Sequence, residues 1–232
     1  MVQLLIIATS FIVALSAGCA SSQGFDRRAM NKALHVEPTP IPESQPLASQ
    51  SVHLPTPFRL GIFFASHDFP NRQSIRKVEW LARDRDQLLR ELAPLQNTHV
   101  LQEAFVLTDA TLQGEDIRRI RQAGARHGAD VVLIVDGLAS VDRYNNRFAW
   151  LYPTLIAAYL APGTESDALV MVTASLWAVH SEWHTPMQTV EGTSTLVGPA
   201  IMLEDSAAMK EAKENAIHAL GIRIVNQLQR LK

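Results

Sequence analysis

The 232-residue sequence lacks the features that usually identify an enzyme or a nucleic-acid-binding protein. Its net charge is −2 at pH 7, and no basic run is long enough to predict a nucleic-acid or polybasic membrane surface. Its glycines are not spaced as in a phosphate-binding loop. Ser66, His67 and Asp68 have the residue types of a catalytic triad, but neighbours in sequence are typical of a polar loop. We therefore expect no catalytic centre, no cofactor and no nucleic-acid partner.

The sequence also has little cysteine, because Cys19 is the only one. An intrachain disulfide is excluded, so the fold must depend on its hydrophobic core. The apolar run before it, 4–17, is shorter than the roughly 20 residues that a transmembrane helix needs. The run ends in Ala17-Gly18-Cys19, which resembles the cleavage box of bacterial lipoprotein signals, although Ser16 stands where leucine is usual. The alternative is an ordinary secretory signal with an incidental cysteine.

This resemblance implies a maturation route and a location. Residues 1–18 would be removed as a signal peptide, and Cys19 would carry acyl chains such as palmitate. Several acyl chains together hold a protein on a membrane far more firmly than one. Ala20 follows the cysteine instead of Asp, which by resemblance to the sorting pattern favours the outer membrane, facing the periplasm or the surface.

The segment 19–57 differs from the rest of the chain in composition, because six of the 12 prolines lie in it. Such a segment buries little apolar surface and favours extended conformations. We interpret it as an acylated, proline-rich tether with a short helix at about 26–34. At about 3.1 Å per residue it would reach on the order of 120 Å when fully extended.

Residues 58–232 are long enough for one domain with a substantial core. Hydrophobic patterning predicts strands that alternate with amphipathic helices in the first half, with the first helix ended by Pro94. The predicted elements are a strand at 58–65, a helix at 74–92, a strand at 100–107, a helix at 115–127 and a strand at 130–137. This β-α-β-α-β order favours parallel strands joined by right-handed crossovers.

The second half of the domain has a different pattern. Two β-prone segments, 169–179 and 187–197, are joined by a short connection and favour an antiparallel pair. The periodic apolar residues of 205–231 predict a long C-terminal helix. The sequence thus predicts an α/β (mixed α+β) fold, a single mixed-sheet domain with an antiparallel extension and a final helix.

Three short motifs resemble known envelope proteins. The helix end Gly-Ala-Asp at 128–130 continues into an apolar strand that ends in Gly137, which resembles the periplasmic α/β domain of curli-channel, penicillin-binding-protein-activator and Tol-type proteins. The anchored N-terminus, Leu-Tyr-Pro-Thr-Leu at 151–155 and Val-Thr-Ala-Ser-Leu at 172–176 are similar to the rhombotarget lipoproteins. These resemblances imply assembly, tethering or partner regulation, with no catalytic residue to carry over.

The sequence His-Ser-Glu-Trp-His at 180–184 is a weak metal-like cluster. Alternate residues of a strand share a face, so His180, Glu182 and His184 could converge on one ion. Zinc would need a further ligand or water and supporting hydrogen bonds. The alternative is a polar connection on the surface, which we favour over a metal site.

The segment 148–162 has no charged residue and is interrupted by Pro153. One interpretation is a hairpin or helix that covers the core. The other is an exposed apolar loop that docks a partner or enters a bilayer, since large exposed apolar patches mark interaction sites. The residues of this candidate interaction loop are Trp150, Tyr152, Leu155, Ile156 and Tyr159.

These observations predict a membrane-anchored lipoprotein that acts as a non-catalytic interaction or assembly factor in the bacterial cell envelope. Its partners would be the membrane, through Cys19, and an unidentified envelope protein. Two alternatives stay open: a metal-assisted periplasmic hydrolase, and a homo-oligomeric subunit of an outer-membrane ring. Fold-level analogy alone does not decide among them.

Overall fold

The computed structural model describes residues 21–34, 56–65, 74–108, 116–154, 156–187 and 189–230. Within these residues the chain forms helices packed on one mixed sheet, which confirms the predicted single-sheet α/β fold. The helices are α1 (Arg27–Leu34), α2 (Ala82–Asn97), α3 (Ile117–Arg126), a 3₁₀ helix (Arg147–Leu151), α4 (Ala157–Leu160) and α5 (Asp205–Arg230). The strands are β1 (Phe58–Phe64), β2 (Ile75–Lys77), β3 (Leu101–Val106), β4 (Val131–Asn145), β5 (Thr164–Ala178), β6 (His184–Pro186) and β7 (Val190–Gly198).

The sheet is parallel on one side and antiparallel on the other. Strand β1 lies between β3 and β4 and is parallel to both, as the crossover pattern predicts. Strand β4 then pairs antiparallel with β5 along 15 residue pairs, from Val131–Ala178 to Asn145–Thr164. Strand β7 pairs antiparallel with β5 from Thr164–Gly198 to Val172–Val190. The β4–β5 hairpin is therefore the longest element of the sheet, and its closed end is formed by Asn145 and Thr164.

Helices cover both faces of the sheet. On one face α2 and α5 pack against alternate residues of β1, β4 and β5, and form the main core. On the other face α3 packs against the first half of β4 through Ile120, and α1 packs against the second half through Met30. Gly192 of β7 lies directly under α5, because a Cβ there would collide with the backbone of Ala212 and Ala216. The glycine is what allows strand and helix to approach this closely.

A buried ion pair joins the two helices of the main core. The ammonium group of Lys213 in α5 contacts the Asp84 carboxylate of α2 and donates to the Glu79 carbonyl at 2.8 Å. Asp84 also accepts from the Leu81 backbone N–H at 2.8 Å and so caps α2. Both side chains are almost fully buried. Each charge is thus paired and hydrogen-bonded, as burial requires.

The predicted helix at 74–92 is wrong at both ends. Residues Ile75–Lys77 form β2, which pairs antiparallel with the 138–140 part of β4, and the chain stays extended to Leu81. Helix α2 then continues through Pro94 to Asn97. Proline removes one backbone hydrogen bond there, but Leu95 beyond it is fully buried in the core. Burial of the Leu95 side chain therefore stabilises a helical turn that the low helix propensity of Pro94 disfavours.

The third strand is also longer than predicted. Gly137 was expected to end it, yet β4 continues for eight more residues to Asn145. A Cβ at Gly137 would lie 3.0 Å from Trp80 and 3.2 Å from Val78. The glycine therefore makes room for the Trp80 indole ring against the middle of the strand, and it does not mark the end of the strand.

Residues 21–34, which lie within the segment interpreted as a tether, pack on the sheet. Met30 is fully buried among Ile75, Leu138, Leu169 and Met171. Arg27 also contacts Glu191 of β7 at 3.0 Å. Residues 21–34 and strand β1, on either side of the proline-rich segment, thus belong to the same folded domain.

Candidate functional site

The most distinctive surface lies at the closed end of the β4–β5 hairpin. We call it the apolar tip, and it consists of residues 147–154, 156–160 and 197–203. Of the ten exposed large apolar side chains within the part of the chain that the structure describes, eight lie here. They are Phe148, Trp150, Ile156, Tyr159, Leu160, Val197, Ile201 and Met202.

Short helices replace a simple turn at the end of the hairpin. The Asn146 side chain accepts from the Phe148 backbone N–H at 2.9 Å and thereby caps the 3₁₀ helix. Its amide donates to the Pro162 carbonyl at 2.9 Å. The Tyr152 hydroxyl lies 2.8 Å from the Thr164 hydroxyl, at the start of β5. These bonds fix the base of the tip to the sheet and leave its apolar side chains outside.

The second segment of the tip is fixed by Arg143 of β4. Its guanidinium donates to the carbonyls of Ala200 and Leu203 and contacts the Asp205 carboxylate at 3.3 Å. The Ile201 backbone N–H bonds to the Ala158 carbonyl at 3.4 Å. This bond brings 197–203 against α4, so the two segments form one continuous surface.

The tip has no acidic residue and a single charged one, Arg147. The Arg147 guanidinium lies 5.0 Å from the centre of the Phe148 ring. The nearby carboxylates of Glu165 and Asp167 lie on the sheet, where the Tyr144 hydroxyl donates to them at 2.8 and 3.1 Å. Those two hydrogen bonds, with desolvation and the adjacent negative charges, raise the pKa of the Tyr144 phenol.

The exposed-loop interpretation of 148–162 agrees with the structure better than the core interpretation, since neither helix in it has a buried residue. Of the residues predicted for the loop, Trp150 and Ile156 are each 73% exposed and Tyr159 is 54% exposed. Tyr152 is half-buried and supports the base, and Leu155 lies outside the described residues.

Five exposed residues of the tip were not predicted: Phe148, Leu160, Val197, Ile201 and Met202. Phe148 and Leu160 belong to the uncharged segment itself, and the structure adds that they are exposed. Val197 pairs with Glu165 near the end of β7, and Ile201 and Met202 follow that strand. The uncharged run 196–203 was visible in the sequence, but only the fold brings it beside 147–160.

The predicted metal cluster is not assembled. The His184 ring stacks on Trp177 with centroids 4.4 Å apart, whereas Glu182 is exposed and contacts Arg121 at 3.4 Å. His180 is exposed on the connection between β5 and β6. Among the residues that the structure describes, no group of three His, Cys, Asp or Glu side chains could hold a metal ion.

Cys19 lies outside the described residues, but the chain just after it is held firmly. The Asp142 carboxylate of β4 accepts from the Ser22 hydroxyl at 2.7 Å and from the backbone N–H groups of Gln23 and Gly24 at 2.9 and 2.8 Å. Asp142 pairs with Asp167, three residues before the closed end of the hairpin. The N-terminal segment therefore starts close to the apolar tip.

No protein-family model and no curated protein matches the sequence. Among solved structures, a hypothetical protein from Chlamydia trachomatis is 8% identical, with 75% of this chain and 94% of that chain covered and a TM-score of 0.31. Such a likeness carries no argument about function. None of the helices described is both long and apolar enough to cross a membrane.

Proposed function

We propose that this chain is a lipid-anchored protein of the bacterial cell envelope whose α/β domain binds another molecule without catalysis. Acyl chains on Cys19 hold it at the outer membrane, on the periplasmic or surface side. The resemblance of residues 16–19 to a lipoprotein signal supports the anchor, and the similarity to rhombotarget lipoproteins supports an interaction role.

The apolar tip is the observation that carries this proposal. Burying one large apolar side chain stabilises a protein by about 1.5–3 kcal/mol, so a domain that leaves eight exposed at one end loses a substantial contribution. Contiguous exposed apolar patches generally mark surfaces that another molecule covers. The ordered hydrogen bonds at the base of the tip hold its side chains ready for such a contact.

The chain offers an internal control for a test of this binding role. Leu160 lies in the tip and is 73% exposed, whereas Ile222 is an exposed apolar residue far along α5. A photo-crosslinking side chain is placed at position 160 or at position 222 of the full chain, in cells of a diderm bacterium. We expect position 160 to give a covalent adduct and position 222 to give little. Equal adducts at both positions, or none at 160, would contradict a binding role of the tip.

The anchor is tested separately with a clickable palmitate analogue. The wild-type chain should incorporate the label and sediment with outer membranes. Cys19→Ser should lose the label and accumulate as the unprocessed precursor. Label that persists in the Cys19→Ser variant would mean that another residue is modified and that the anchor assignment is wrong.

A further inference from the structure

The N-terminal segment places the lipid anchor at the same end of the molecule as the apolar tip. Cys19 precedes Ser22 by three residues, so even an extended chain would place it at most about 10 Å from Ser22 and about 15 Å from the Asp142 carboxylate that binds the Ser22 hydroxyl. Asp142 is itself three residues, or about 10 Å, from Asn145 at the closed end of the hairpin. The acyl chains on Cys19 must therefore emerge within about 25 Å of the base of the tip.

The docking of α1 fixes this arrangement. From the Asp142 site the helix runs toward Leu138 and Met171, away from the tip, and Met30 is buried between them. Only Cys19 and the two residues after it lie between the acyl chains and the docked segment. An anchor attached through so short a link cannot place the domain at an arbitrary height or orientation above the bilayer.

We propose that the apolar tip enters the surface of the same bilayer that holds the acyl chains of Cys19. This inference rests on the proposed acylation. The chemistry of the tip suits a lipid surface, because Trp150 and Tyr159 combine an apolar body with a polar group, as interfacial aromatic residues do. Arg147 can reach phosphate headgroups, and no acidic side chain in the tip would oppose them.

Because the acyl anchor already holds the protein at the membrane, even a weak affinity of the tip for lipid is enough to keep the two in contact. A tip held within about 25 Å of a membrane experiences a high effective concentration of lipid, so its binding is in effect intramolecular. A protein partner on the tip would have to fit into the same narrow space between domain and bilayer. The geometry therefore favours lipid over protein as the molecule that covers the tip.

The proposed contact orients the whole domain. The closed end of the β4–β5 hairpin then contacts the membrane, and its 15 paired residues span about 50 Å. Trp183, half-buried beside the far end of β5, then lies on the side of the domain away from the bilayer. The far end of the sheet is left available to a soluble partner.

The test is tryptophan quenching in the full acylated protein, reconstituted in phosphatidylethanolamine–phosphatidylglycerol vesicles with brominated acyl chains. We expect the brominated lipids to quench the wild-type emission, and Trp150→Phe to lose that quenching. Trp183→Phe is the matched control and should retain it. An Ile156→Glu/Leu160→Glu variant should still float with the vesicles and fold normally, but its Trp150 should no longer be quenched.

The outcomes separate this inference from the function on which it rests. A protein that floats with vesicles while Trp150→Phe leaves the quenching unchanged overturns the tip–membrane contact and leaves the anchor intact. An adduct of protein instead of lipid from position 160 in cells overturns it as well. A purified mature protein that does not float with vesicles at all overturns the acyl anchor itself.

Discussion

Met30 holds the N-terminal segment on the domain, and its replacement by alanine isolates that contribution. The side chain is fully buried, and its transfer out of water stabilises docking by about 2–3 kcal/mol. An eight-residue helix has little stability of its own, so α1 forms only while it is docked. Each 1.4 kcal/mol changes an equilibrium constant tenfold, so Met30→Ala should raise the population of protein with α1 undocked about 30- to 140-fold.

Hydrogen exchange measured by mass spectrometry reads this population directly. We expect the amides of 27–34 in Met30→Ala to exchange faster by that factor, while the amides of Val131–Val135 remain protected. Lys32→Ala, on the exposed side of the same helix, should change neither. Equal loss of protection in α1 and β4 would show that the segment and the sheet unfold together, and the argument for a separately docked anchor would fail.

The same variant connects stability to the proposed orientation. With α1 undocked, the link between Cys19 and the sheet becomes longer and flexible. The anchor should then hold the protein on vesicles as before, but Trp150 should be quenched less by brominated lipids. A decrease in quenching without a decrease in flotation would show that docking, and not acylation alone, places the tip in the bilayer.

Three further predictions concern the domain itself. Lys213→Met removes the buried cation that pairs with the Asp84 carboxylate and leaves it only the exposed Arg83 at 3.7 Å. It should lower the free energy of unfolding by about 3–5 kcal/mol in urea titrations, and an unchanged midpoint would contradict the pairing. Gly192→Ala forces a methyl group against the backbone of α5 and should lower the free energy of unfolding by about 1–3 kcal/mol. Gly198→Ala should lower it less, because only the Leu203 side chain is near that position. Equal thermal midpoints for the two variants would refute this difference. The raised pKa of Tyr144 means that its hydrogen bonds stabilise the fold below the ordinary phenol pKa of about 10 and lose that effect as the pH rises further. In an ultraviolet titration, the ionisation step at the highest pH should therefore be missing in Tyr144→Phe. If that step persists in the variant, another phenol is responsible for it.

Much of the fold could be predicted because the long elements have strong local patterns. The apolar stripe of Asp205–Arg230, the strand pair β5–β7 and the parallel order of the first half all follow from periodicity. Strand β2 could not be predicted, since three residues are too few to show a period. The extension of α2 past Pro94 depends on the burial of Leu95, which only tertiary packing decides.

The candidate site was predicted only in part, because a sequence pattern shows local features and not contacts between distant residues. The lack of charge over 148–162 is local and visible in the sequence, so this segment of the tip could be proposed. Its second segment and the docking of α1 depend on contacts between distant residues. Met30, Ala33 and Leu34 have helical spacing, but the surface that buries Met30 comes from Ile75, Leu138 and Met171.

The most direct test of the central claim is intact-mass and peptide mass spectrometry of the mature protein purified from envelopes. We expect residues 1–18 to be absent and the new N-terminal residue, Cys19, to carry acyl chains. A Cys19 with a free thiol, in a chain that retains Met1–Gly18, would contradict it.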